Sequence, residues 1–221
     1  MTEDEIKRWR REQRRRLRVQ RIKLSDEQRV RLDQRICERM LECLGAQPRV
    51  IGFYWPFRGE VDPRRFVLQL AESGIELALP VVVTEHAPLE FWRWTPESPM
   101  QPGIWNIPIP VTRAPVTPDL LLVPLLGFDT ANYRLGNGGG YYDRTLAVMR
   151  PRPRTIGLGY ELTRLESIHP LPHDVPLDTV VTEDGVQTGH DLPRSDPSGE
   201  TREPASPPCQ LHEVDPDYRG F

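Results

Sequence analysis

The sequence predicts an α/β fold, a mostly parallel sheet with helices on both faces. Two observations carry this. From residue 50 onward, strand-like and helix-like segments alternate, and parallel strands need such helical crossovers. The most apolar strand, Leu120 to Leu126, shows no polar alternation, as expected of a strand buried on both faces. The 221 residues suit one large domain with a sizeable core.

Each element has its own signal. The head, 5–21, is rich in helix formers, lacks Gly and Pro, and carries few apolar residues: Ile6, Trp9, Leu17 and Val19, with Ile22 just beyond. Ser25 and Gln28 form a capping-box pattern for a second helix. There Leu32, Ile36, Cys37, Met40, Leu41 and Leu44 recur at helical spacing until Gly45 and Pro48. Val50 to Tyr54 reads as a strand. Asp62-Pro63 opens a third helix that Gly74 closes. Leu77 to Val83 and Leu89 to Trp94 follow as strands, then a proline-punctuated connector over 96–118. After the Leu120 strand and a glycine loop, Tyr142 to Met149 reads as a short helix. Thr155 to Leu158 and Thr179 to Val181 are the closing strands.

Charge divides the chain more sharply than its net of −3 suggests. Residues 1–23 hold ten basic and four acidic groups, whereas 183–221 hold three and nine. The last segment also has six prolines and little apolar content. We therefore expect a single domain over 1–183 and a disordered, acidic, Pro-rich tail over 184–221. The basic head alone could bind nucleic acid, but a pI near 6.0 and the acids at 3–5 weigh against that role. No apolar run approaches the roughly 20 residues of a membrane span, and no leader pattern opens the chain. Cys37, Cys43 and Cys209 show no metal-ligand spacing, so a reducing, cytoplasmic setting is expected.

The most informative segment is Tyr133-Arg134-Leu135-Gly136-Asn137-Gly138-Gly139-Gly140-Tyr141-Tyr142-Asp143-Arg144, between the strongest strand and a helix. Four glycines in five positions permit positive φ and bring backbone N–H groups close to a ligand. The helix start adds unpaired amides, so the place suits phosphate. Arg134 can neutralise phosphate, with Arg144 a second candidate. Asp143 is placed for a Mg²⁺ that phosphate oxygens share. The loop lacks the Gly-Lys-Ser/Thr ending of a P-loop and the GxGxxG spacing of a dinucleotide site. The competing explanation is a strand–helix connection in which the tyrosines only pack.

The run Arg134-Leu135-Gly136-x-Gly138-x-Gly140-Tyr141-Tyr142-Asp143, preceded by Val123 to Asp129, resembles the 5-formyltetrahydrofolate cyclo-ligase family. Trp105-Asn106-Ile107-Pro108, the segment Tyr54 to Glu60, and Asp174 with Asp178 come in the family's order. The resemblance covers about residues 5–183. It implies the three-layer fold of the NagB/RpiA/CoA-transferase kind. It also implies ATP- and Mg²⁺-dependent closure of 5-formyltetrahydrofolate, with or without a polyglutamate tail, to 5,10-methenyltetrahydrofolate. The formyl oxygen is phosphorylated, N10 attacks, and ADP and phosphate leave.

By the same resemblance, Arg134, Leu135, Gly136, Asn137, Gly138, Gly139, Gly140, Tyr141 and Tyr142 would hold the ATP phosphates, with Lys7 and Arg10 reaching in from the head and Arg14 almost as eligible. Arg134, Tyr141 and Tyr142 are the candidates closest to the chemistry. Trp55, Glu60 and Trp105 would bind folate, and Asp143 and Asp174 the Mg²⁺, directly or through water. The family often carries basic residues inside the loop; Asn137 and Gly139 are uncharged here. Trp92 and Trp94 read as core, and His169 and His173 as ordinary loop residues. A monomer or weak dimer is expected. The rival readings are a non-catalytic folate- or nucleotide-binding relative, a nucleic-acid-binding module using the head helix, and a sugar-phosphate or CoA enzyme on a similar sheet.

Overall fold

A seven-stranded sheet organises the chain, seen in a computed structural model that describes residues 1–45 and 47–189. Ahead of it come α1 (Glu3–Ile22) and α2 (Asp26–Glu42). Next are β1 (Val50–Gly52), α3 (Arg64–Glu72), β2 (Glu76–Val81) and β3 (Glu90–Trp94). A hairpin of β4 (Met100–Pro102) and β5 (Pro108–Pro110) precedes β6 (Leu120–Pro124). A small pair, β7 (Gly127–Phe128) and β8 (Arg134–Leu135), leads into α4 (Tyr141–Val148). The chain then forms β9 (Arg154–Leu158), β10 (Thr179–Val181) and β11 (Val186–Thr188).

The sheet order is β11-β10-β9-β6-β1-β2-β3. The five central strands are mutually parallel, and β3 and β11 run antiparallel at the two edges. Successive β6 residues serve opposite faces, which is why all are apolar. Leu120 and Leu122 pack with Ile36 and Met40 of α2 and Val67 of α3. Leu121 and Val123 pack on the other side with Phe91 and Leu146 of α4. The expected layers, helices on both faces, are therefore present.

Local chemistry sets the element ends. Both long helices begin in capping boxes, Thr2 with Glu5 and Ser25 with Gln28. The first starts α1 two residues ahead of the sequence expectation. Asp62 accepts the Arg64 N–H at 3.0 Å, as the Asp-Pro pattern predicted for α3.

Three features differ from the sequence reading. The connector over 96–118 contains the β4–β5 hairpin. Its tip, Trp105-Asn106, has φ of 58° and 59°, and the Ile107 N–H closes on the Ile104 carbonyl at 3.2 Å. This is the geometry of a mirror-type hairpin turn, seldom built without glycine. The head helix does not bury its apolar residues as a stripe: Val19 and Ile22 are exposed, while Arg10, Arg18 and Arg21 are buried with Leu17. Finally, order continues past 183. Val186–Thr188 pairs with β10, and Gln187 donates to the Asp129 carbonyl at 2.9 Å. The rest of the expected tail, 190–221, lies outside the described residues. Among the described residues no helix is long and apolar enough to cross a membrane.

Candidate active site

The chain runs from β1 through α3 to β2 on one side, then returns to place β6 on the other side of β1. Such a reversal of strand order opens a crevice beyond the carboxyl ends of the two strands, where open α/β sheets bind ligands. A cavity of about 540 Å³ lies there. It is lined by the segment after β1, the segment after β6, the glycine loop, the β4–β5 tip and one face of α1. Every residue singled out in the sequence as a site candidate lines this one cavity, from Lys7 to Asp174.

The glycine loop is braced from both ends. Before it, buried Asp129 accepts the N–H groups of Ala131 and Tyr133 through Oδ1 and of Ile168 through Oδ2, fixing the β7–β8 turn. After it, Gly140 takes φ of 63° at the start of α4, a conformation that costs any residue with a Cβ. Arg144 folds back to donate to the Gly139 carbonyl and lies over the Tyr141 ring. It therefore stiffens the loop instead of reaching for phosphate. Arg14 donates to the Gly136 carbonyl at 2.9 Å, so the head helix braces the loop as well.

Arg134 and Asp143 form an ion pair at 3.0 Å, with the Arg134 side chain almost wholly buried. Arg134 also donates to the Val175 carbonyl, and Asp143 accepts the Val175 N–H at 3.0 Å. Both Asp143 contacts fall on Oδ1, which leaves Oδ2 for a further ligand. Asp174 lines the same cavity and is tied to the head helix. Arg10 grips both its oxygens, at 3.3 and 2.5 Å, and donates to the carbonyls of Ile168 and His169. Asp174 thereby anchors the head helix, and its Oδ2 also accepts the Leu171 N–H at 2.6 Å. Arg10 is correspondingly held by protein groups, and Lys7 pairs with Glu3 at 3.0 Å on the surface.

Glu60 is buried on the opposite wall. Its Oε2 accepts the Phe57 N–H at 3.1 Å, and its Oε1 accepts from Asn137 at 3.3 Å. Burial raises the Glu60 carboxyl above its ordinary range, against the lowering effect of nearby Arg21. Tyr142 presents a buried hydroxyl with no hydrogen-bond partner among the described residues. Burial, reinforced by Glu60, pushes this phenol up, so it stays protonated and can donate. Trp105 meets Tyr141 edge-on at 5.9 Å, and Trp55 packs edge-on against Trp94 under the Arg64 guanidinium. These give the cavity flat apolar walls.

Arg21, buried beside Glu60, is a residue that sequence reasoning missed. A periodic signal existed, because positions 10, 14, 17, 18 and 21 share one helix face. It was hidden in a helix with arginine on every face. The burial of Arg10, Arg18 and Arg21 also removes them from any exposed nucleic-acid footprint.

The donor set fits a nucleotide phosphate and, more narrowly, Mg²⁺. The former has loop amides and unpaired polar atoms. The latter has Asp143, because Mg²⁺ sites usually combine one or two carboxylates with substrate phosphates. No group of three potential metal ligands forms among the described residues, so such an ion would rest largely on phosphate oxygens.

Comparison with known proteins agrees with this geometry. The sequence pattern of the 5-formyltetrahydrofolate cyclo-ligase family matches residues 6–183. A 5-formyltetrahydrofolate cyclo-ligase of Haemophilus influenzae is 35% identical over 59% of this chain and 74% of its own. Its Escherichia coli K12 counterpart is 30% identical over 75% of this chain and 96% of its own. The solved structure of Aquifex aeolicus 5,10-methenyltetrahydrofolate synthetase superposes with a TM-score of 0.72 at 30% identity, covering 88% of this chain and 96% of that one. A fold with the cavity at its strand-order reversal, a family pattern spanning the whole sheet up to β10, and relatives matched almost end to end lead to one conclusion: this chain belongs to the 5-formyltetrahydrofolate cyclo-ligase family.

Proposed function

We propose that the chain converts 5-formyltetrahydrofolate and ATP into 5,10-methenyltetrahydrofolate, ADP and phosphate. The observation that carries this reading is the single cavity with two chemically distinct walls. A braced amide loop with Arg134 and Asp143 suits phosphates; Glu60, Asn137, the Tyr142 hydroxyl and flat aromatic rings suit a pterin. ATP would supply the phosphoryl group that activates the formyl oxygen, with Mg²⁺ spreading its charge.

The chain's own residues would position and neutralise. The loop N–H groups from Gly136 to Gly140 and buried Arg134 would hold phosphate oxygens. Asp143 would offer Oδ2 to Mg²⁺. Glu60, held by Phe57 and Asn137, would accept from pterin N–H groups. The protonated Tyr142 hydroxyl would donate to the oxygen where charge develops, and Trp105 and Tyr141 would exclude water. Phosphoryl transfer needs placement more than a protein nucleophile, and Cys37 is buried on the core-facing side of α2. We place the protein in the cytoplasm, as a monomer or weak dimer.

The direct test follows methenyl-folate absorbance with purified protein, 5-formyltetrahydrofolate, ATP and Mg²⁺. Growth dependent on both ATP and Mg²⁺ is expected. A flat trace from folded protein that binds ATP would overturn the assignment in favour of a relative without turnover.

A further inference from the structure

We infer that Arg21, at the far end of the head helix, is the positioning residue that keeps Glu60 a charged acceptor for the folate. The inference rests on the reading of Glu60 as a folate contact. Arg21 is 1% exposed and is the largest fully buried side chain of the molecule. Its Nε donates to the Arg58 carbonyl at 3.1 Å and its Nη1 to the Leu125 carbonyl at 3.2 Å. Those contacts clamp the guanidinium between the segment after β1 and the segment after β6, the two strands whose order reversal opens the cavity. Its Nη2 makes no hydrogen bond and stands 4.0 Å from Glu60 Oε1.

A buried guanidinium nitrogen left without a partner is costly unless it serves a neighbouring charge. Among the described residues, the only carboxylate it is paired with is Glu60. At 4.0 Å in a buried setting the attraction is strong although no hydrogen bond is closed. Leaving that bond open keeps the lone pairs of Oε1 for the Asn137 amide and for an incoming N–H donor. Around Glu60 stand Arg21 from α1, Asn137 and Tyr142 from the glycine-loop side, and Tyr54 and the Phe57 N–H from its own segment. Arg21 is the one cation drawn against the burial that favours a neutral carboxyl.

Removing the Arg21 charge should therefore let Glu60 take up a proton at higher pH, and the folate acceptor should fail from the acid side first. The arrangement also separates the ligands. Arg21 stands beside Glu60, while the loop bracing falls to Arg14 and Arg144.

The test compares Arg21→Met and Arg21→Lys with wild type, reading KM for 5-formyltetrahydrofolate, KM for ATP and kcat/KM against pH. For Arg21→Met we expect a rise of about tenfold or more in folate KM, ATP KM within about twofold, and an acid limb moved up by about one pH unit. Arg21→Lys, keeping the charge, should hold the acid limb near wild type even if both carbonyl bonds are lost. An unmoved acid limb in Arg21→Met, or equal losses in both variants and for both ligands, would reduce Arg21 to a structural clamp and overturn the inference.

Should Arg21→Met fail to fold, Arg21→Met/Glu60→Gln decides. Solubility regained on removing both charges supports the pair, and continued failure refutes it. If wild type itself shows no turnover or folate binding, the functional reading fails before any Arg21 variant is judged.

Discussion

Asp143→Asn separates the ion pair that this carboxylate makes from the Mg²⁺-holding role proposed for it. The substitution keeps the shape and an oxygen for the Val175 N–H, but it removes the charge facing Arg134 at 3.0 Å. Breaking one half of a fully buried ion pair costs about 3–5 kcal/mol. Arg134 is almost wholly buried, but Asp143 is one-fifth exposed and water screens part of the loss. We therefore expect the unliganded protein to lose about 1–3 kcal/mol, a drop of roughly 2–4 °C in Tm for each kcal/mol in a domain of this size. Urea unfolding without ligands measures that part alone. The second job shows in the extra stabilisation that Mg²⁺ adds to a bound nucleotide. It should be largely lost in the variant, while metal-free nucleotide still binds. Unliganded stability within about 0.5 kcal/mol of wild type would mean that the Arg134 pair contributes little. An unchanged Mg²⁺ increment would remove Asp143 from the metal site.

Gly140→Ala should cost about 1–2 kcal/mol, because φ is 63° and the new Cβ would sit 2.8 Å from Arg144 Nη1, pushing it off the Gly139 carbonyl. Gly136→Ala, which meets nothing within 4 Å, should cost much less in the same denaturant titration, and equal losses would refute the bracing role given to Arg144. Asp33 offers a pH prediction away from the cavity. Burial pushes its carboxyl up to about 6, against hydrogen bonds from the Tyr160 hydroxyl at 2.6 Å and the Asp62 N–H. The fold thus favours the protonated form. That contribution is complete below the unfolded value near 3.8 and is lost as pH rises through about 6. With part of the group in water we expect about 1–2 kcal/mol. The stability of wild type minus that of Asp33→Asn should fall by that amount from pH 4 to 7, and a flat difference would disprove it.

The sheet was legible because its signals are local. An unbroken apolar run marks β6, Asp62-Pro63 marks a helix start, and four glycines mark a loop. The glycine loop, Glu60, Trp55 and Trp105 could all be named in advance, the first from backbone chemistry and the others through resemblance. Long-range pairings were not legible. Nothing in the order of residues says that Arg10 will seize Asp174 and so tie the head helix to a loop 164 positions away. Nor does composition reveal which arginines of an Arg-rich helix go inside, because Arg18 and Arg21 follow the same periodicity that usually exposes apolar residues to a core. Trp105-Asn106 escaped for another reason: hairpin turns with both central residues at positive φ normally announce themselves with glycine.

The bridge from Arg10 to Asp174 spans 164 positions of sequence, and that from Arg14 to Gly136 spans 122. The head helix thus leaves the ribosome ahead of the sheet and waits for partners far along the chain. Until the segment around Ile168 to Asp174 has been synthesised, a strongly cationic helix lacks its Arg10 anchor, and the cavity lacks one wall. Docking of the head would then be a late, high-contact-order event, following assembly of the sheet. Nascent chains arrested before residue 168 should carry a protease-accessible amino-terminal segment that becomes protected once the remaining strands emerge.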